Sequence, residues 1–184
     1  MAKSKKKKVV RKKSASVKAI PLGFRTVSSY LTVSDGKNAI EFYKKAFSGK
    51  ELARSLTPDG KIMNAQIKIG DCIVMVSDEV PGALTKSPLT IGTSTVTLHI
   101  YSKNVDKLWS QALGAGARVV MPLDNQFWGD RYGQLVDPFG HHWSLAQHIK
   151  MSAKEMEEKQ KAAMAMFSAG AHSVRTDVPL GGIG

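Results

Sequence analysis

The 184-residue chain contains one cysteine, Cys72, so no intramolecular disulfide can staple it. A reducing, cytoplasmic setting suits that composition. No apolar run approaches the roughly 20 residues of a membrane-spanning helix. The lysines near the N-terminus are not followed by the apolar stretch of a secretory signal, so neither membrane nor export is expected. No Gly-x-Ser-x-Gly elbow is present, and no glycine-rich loop joins a strand to a helix as a nucleotide fold requires. Acids are absent from residues 1–18, where nine Lys and Arg lie, leaving 18 cations against 15 acids in the remainder. The net charge of +12 therefore belongs mainly to a tail and not to a folded surface. Without interleaved aromatics, residues 1–20 read as a disordered Lys-rich tail capable of weak, salt-sensitive contact with polyanions.

Aromatic residues are scarce at 7%, yet Phe127, Trp128, Tyr132, Phe139 and Trp143 crowd into one run from Asp124 to Trp143. That run predicts two strands, Arg131 to Val136 and His142 to His148, joined by the turn Asp137-Pro138-Phe139-Gly140. Its aromatic, cationic and amide side chains suit a small-molecule pocket, and equally a tightly packed hairpin.

Upstream, alternation predicts strands over Thr26–Val33, Lys50–Thr57, Ile62–Ile69 and Cys72–Ser77, with a helix over Lys37–Phe47. Strands over Thr95–Tyr101 and Arg118–Leu123 flank a second helix that starts near Asn104 or Val105. Residues 78–93 read as a loop. The order βαβββ thus occurs twice, with helices starting about 68 residues apart, which signals an internal duplication. The modules span about 24–80 and 94–149, within a domain of 21–149. A capping box at Ser152-Ala153-Lys154-Glu155 opens a helix within 150–168, and 169–184 reads as a flexible tail.

Several runs resemble the vicinal-oxygen-chelate superfamily (glyoxalase, bleomycin resistance and extradiol dioxygenase proteins), and within it the PhnB-like group. They are Tyr30-Leu31-Thr32-Val33, Ala39 to Phe47, Ile69-Gly70-Asp71, Val74 to Glu79, Gln126 to Arg131 and Asp137 to His141. The resemblance implies an α+β fold in which paired βαβββ modules form an eight-stranded, cup-shaped curved sheet, and it implies a homodimer. Metal-dependent members use four ligands on the first and last strands of each half, which here fall on Ser28, Met75, His99 and Ser144. Only His99 is a competent ligand for a divalent ion.

The expected function is therefore metal-independent binding of a small molecule in the cup. Tyr30, Tyr101, Phe127, Trp128 and Trp143 would supply walls, and His99, Arg131 and Glu79 polarity. No cofactor is expected. The alternative is a metal-dependent lyase, isomerase or dioxygenase with a divalent metal on His99, Glu79 and His142. A methyltransferase, a label some PhnB-like proteins carry, is not expected. Cys72, inside an apolar strand, is expected to be an inert thiol.

Overall fold

The computed structural model describes residues 17–168. Most of the Lys-rich tail, and the C-terminal tail 169–184, lie outside the described residues. The first module runs β1 (Tyr30–Val33), α1 (Gly36–Phe47), β2 (Lys50–Leu56), β3 (Ile62–Ile69) and β4 (Cys72–Asp78). A short helix α2 (Pro88–Ile91) interrupts the expected loop. The second module runs β5 (Thr97–Tyr101), α3 (Val105–Gly114), β6 (Arg118–Asn125), β7 (Asp130–Val136) and β8 (His142–His148), followed by α4 (Ala153–Ser168).

Local chemistry places the helix ends. Asp35 caps α1 by accepting from the Asn38 N–H at 3.0 Å, and Asn104 caps α3 by accepting from Lys107 N–H at 3.0 Å. The Ser152–Glu155 capping box forms, with Glu155 N–H donating to Ser152 Oγ and Ser152 N–H donating to Glu155 Oε2. Met164 and Met166 on α4 are exposed. Among the described residues, no helix is long and apolar enough to cross a membrane.

The single eight-stranded cup is not what the chain forms. Its strands make two separate four-stranded mixed sheets, ordered β1-β4-β3-β2 and β5-β8-β7-β6. Each order is open-ended, so neither sheet closes or curls into a cup. Sequence alternation tells which strand face is apolar but not whether two outer strands pair across a duplication. Here β1 and β5 are not hydrogen-bonded to each other. A groove of about 400 Å³, lined among others by Tyr30, Thr32, Pro88, Val96 and Leu98, lies along them.

Two strand starts also differ. β1 begins at Tyr30 because its parallel pairing with β4 covers only Met75 to Asp78. Residues before it cross the sheet as coil: Gly23 sits over Ile73, and Val27 is exposed. Cys72 opens β4 and is exposed, not enclosed in an apolar strand.

One face of each sheet carries its module's helix, and the two helices pack on each other. Gln111 Nε2 on α3 donates to Lys45 O (2.6 Å), Ala46 O (3.2 Å) and Ser48 Oγ (3.0 Å) at the end of α1. One core results, joining Ile40, Phe42, Tyr43 and Phe47 of α1 to Leu135, Phe139, Trp143 and Leu145 of the second module. Its aromatic centre is continuous: Phe47 and Trp143 ring centroids are 4.4 Å apart, and Tyr43 and Trp143 5.6 Å.

At this junction lies Asp137, buried at 1% exposure in the β7–β8 turn. Its Oδ1 accepts from the Phe139 and His141 N–H groups, and its Oδ2 from Tyr43 OH and Trp143 Nε1–H, all at 2.9 Å. Burial pushes the Tyr43 hydroxyl well above its ordinary range, so it stays protonated and donates. A second polar bridge places His141 Nε2 3.1 Å from Thr32 O.

Candidate functional site

The faces without helices differ between the sheets. On the first, residues 19–28 lie against Met75 and cover Ile73, and Arg25 is tied to Asp71 at 2.5 Å. The second is open. Register puts Thr97, His99 and Tyr101 of β5 beside His142, Ser144 and Ala146 of β8, and these beside Val136, Gln134 and Tyr132 of β7. The β6–β7 turn ends on Gly129, whose φ of 88° favours glycine. Its carbonyl accepts from Ile149 N–H at 3.0 Å, which pins the turn to the end of β8.

The side chains on this face form a connected circuit from Trp128 to His148. Trp128 meets Tyr132 edge-on at 5.5 Å. Tyr132 stacks with His99 at 6.0 Å, and His99 meets Tyr101 edge-on at 4.5 Å. Tyr101 OH donates to Asp130 Oδ2 at 3.1 Å, and His148 Nδ1 lies 2.9 Å from Asp130 Oδ1. His148 packs over Gly129, beside Trp128. Two more polar pairs complete it: His99 Nδ1 with Ser144 Oγ at 2.7 Å, and Gln134 Nε2 donating to Tyr132 OH at 2.8 Å. Asp130 beside Tyr101 raises that hydroxyl above its ordinary range, keeping it a donor. Tyr101 is 64% and Trp128 41% exposed, so flat aromatic surface and oriented polar groups face outward together.

Of the residues expected in the site, the structure brings His99, Tyr101 and Trp128 together, with Phe127 against Trp128 at 5.0 Å. Tyr30 lies on the first sheet, its hydroxyl donating to Met63 O at 3.4 Å. Trp143 faces the opposite way, into the core, with its N–H on Asp137. Arg131 also turns to the helix-bearing side. There it forks onto Asp106 of α3, with Nη2 at 2.6 Å and Nε at 3.0 Å from Oδ1, which raises its pKa.

Glu79 is engaged in the loop around α2. It accepts from Thr90 Oγ1 at 2.6 Å and Ser87 N–H at 3.0 Å, with Lys86 Nζ 3.2 Å away. These hydrogen bonds, that of Thr90 foremost, hold its carboxyl at about 2, below the ordinary 4.5. A lowered folded value means that its contribution to stability is full above about pH 4.5 and is lost as pH falls towards about 2. The difference in unfolding midpoint between the native protein and Glu79→Gln should therefore shrink across that window in thermal melts. A difference of the same size at pH 2 and pH 6 would contradict the assignment.

The proposed ligand set His99, Glu79 and His142 is not assembled, because Glu79 is held by the α2 loop and His99 by Ser144. Among the described residues, no group of three or more His, Cys, Asp or Glu is placed to hold a metal ion. Sequence reasoning left Asp130, Tyr132, Gln134, Ser144 and His148 out of the site. The signal was available in β7, where period-two alternation from Leu135, a core residue, puts Arg131 and Gly133 on the helix side and Asp130, Tyr132 and Gln134 opposite.

The glyoxalase/bleomycin resistance protein/dioxygenase superfamily model matches residues 24–145. The chain belongs to this superfamily. It is 45% identical over 139 residues to the uncharacterized protein Mb0911c of Mycobacterium bovis, covering 74% of this chain and 90% of that one. Among solved structures, TioX of Micromonospora sp. ML1 is 26% identical, with a TM-score of 0.55, covering 66% of this chain and 97% of TioX. A Bacillus cereus PhnB protein, described as a putative 3-demethylubiquinone-9 3-methyltransferase, is 18% identical, with a TM-score of 0.51. The match covers 67% of this chain and 99% of that one, and at that identity the likeness is one of fold. At the positions where the resemblance implies ligands, Ser28, Met75, His99 and Ser144, the serine hydroxyls and thioether are poor donors for a hard or borderline divalent ion, and Ser28 lies before β1 and not on it.

Proposed function

We propose that the protein is a metal-independent, cytoplasmic binding protein for a planar small molecule, held on the open face of the second sheet. The observation that carries this reading is the circuit from Trp128 through Tyr132, His99 and Tyr101 to Asp130 and His148. It offers flat apolar rings beside hydrogen-bonding groups whose orientation is already set, so little ordering remains to be done on binding. The donor chemistry at the superfamily's ligand positions supports binding without a metal. Exhaustive chelation should leave affinity for a planar aromatic compound unchanged within about twofold, as read by calorimetry. Recovery of binding only on adding back Zn, Ni, Mn or Fe would overturn the reading.

A homodimer is part of the proposal. Tyr30, Val96, Tyr101 and Trp128 are large apolar or aromatic side chains left exposed, on or beside the faces that no helix covers. A second copy laid against these faces would enclose a ligand that one chain leaves open to solvent. Light scattering should give twice the 20.0 kDa chain mass at micromolar concentration. A particle of one chain mass that still binds ligand fully would contradict this assembly.

A further inference from the structure

We infer that His148, oriented by Asp130, is a proton acceptor for the bound molecule, so that the open face selects planar compounds carrying a weakly acidic hydroxyl and holds them ionised. The inference rests on the binding reading above and adds the ligand's chemistry to it.

Asp130 is 6% exposed and accepts two hydrogen bonds, one from Tyr101 OH and one from His148. A carboxylate cannot donate, so the His148 nitrogen 2.9 Å from it carries the proton. In the neutral imidazole that fixes the tautomer: Nδ1 holds the hydrogen, and Nε2 is left with its lone pair. The His148 side chain is 79% exposed while its carboxylate partner is 8% exposed. The titratable groups reaching this dyad are Asp130 from β7 and Tyr101 from β5, with His99 next along the circuit.

A flat ring resting against Trp128 and Tyr132 would reach the His148 imidazole, whose Cε1 edge lies over Gly129, the neighbour of Trp128. The ligand O–H bond breaks, and its proton forms the new N–H bond at Nε2. The electron pair stays on the ligand oxygen. The resulting imidazolium is stabilised by the Asp130 carboxylate behind it, and the ligand anion by the imidazolium in front. No oxidant, reductant or metal takes part.

The test compares 4-nitrophenol, whose visible absorbance appears on ionisation, with 4-nitroanisole, which has no proton to give. Both are titrated into the full-length protein at a pH where free 4-nitrophenol is mostly protonated, with binding followed by calorimetry. Both should bind, and bound 4-nitrophenol should carry about tenfold more phenolate than the free compound, a shift of about one pKa unit. In His148→Gln the phenolate fraction per bound molecule should fall to that of free solution. Failure of 4-nitroanisole and 4-nitrophenol alike to bind sinks the binding reading and this inference with it. Binding of both with 4-nitrophenol still protonated, or with the same ionisation in His148→Gln, overturns this inference alone. Nitrogen-15 spectra of the unliganded native protein give a check free of any variant: the Nδ1–H tautomer of His148 is expected, and the Nε2–H tautomer refutes it.

Discussion

Asp137→Ala should cost on the order of 4 kcal/mol of folding stability, or roughly 10 °C in Tm for a chain of this size. The carboxylate accepts from four donors at the junction of the modules: two backbone N–H groups of its own turn, Trp143 Nε1–H, and Tyr43 OH from α1 of the other module. Removing it strands those donors where water cannot reach them, because Tyr43 is fully buried and Trp143 is 2% exposed. Each unsatisfied buried donor costs about 1–3 kcal/mol, although the turn can relax to recover part of that. Tyr43→Phe removes one donor and leaves Asp137 three, so it should cost only about 1–2 kcal/mol. Denaturant unfolding of both variants checks the ranking. Asp137→Ala costing no more than Tyr43→Phe would show that the turn, and not the bridge between modules, accounts for the residue.

That bridge shows where sequence was informative and where it was not. The helices were legible because Asp35 and Asn104 cap them and their apolar residues recur with helical spacing. β3 was legible to the residue because it alternates between turn residues, and β8 because the Asp137–Gly140 turn sets its start. The pairing of β1 with β4 and of β5 with β8 depends on chain crossovers, which alternation does not encode, and the break between β1 and β5 was invisible for the same reason. Asp137 looked like a turn residue because two of its four partners, Phe139 and His141, lie in its own turn, whereas Trp143 is 6 positions away and Tyr43, 94 away, belongs to the other module.

The site was half legible for a related reason. Aromatic richness pointed to the correct hairpin but not to a face of it. Trp143 and Trp128 looked equivalent by type, yet Trp143 alternates with Ser144 and so points to the core, while Trp128 stands in a turn. Arg131 seemed a good anion anchor because guanidinium binds carboxylates bidentately, and in the fold it does so internally, on Asp106. Strand parity put His148 on the same face as His142 and Ser144, but its pairing with Asp130, 18 positions away on the neighbouring strand, was not legible.

Trp128→Ala should weaken binding of a planar aromatic compound by about 30-fold, or roughly 2 kcal/mol, while leaving stability nearly unchanged. The first part follows from its place at the end of the ring circuit, where its partly exposed indole meets Tyr132 and Phe127. The second follows from that exposure and from its place in a turn whose backbone hydrogen bonds do not use the side chain. Trp143→Ala should do the reverse, unfolding the core in which its ring packs on Phe47 and Tyr43. Trp109, on α3, packs over Gly133 on the helix-bearing side, so Trp128 is the indole placed to report a ligand on the open face.

The most direct test is a fluorescence titration of chelator-treated native protein and folded Trp128→Ala with one planar aromatic compound. If the open face of the second sheet is the binding site, the native protein shows saturable quenching, and the variant loses most of that quenching along with about 30-fold in calorimetric affinity. Equal affinity of the two proteins for the same compound would place the site elsewhere.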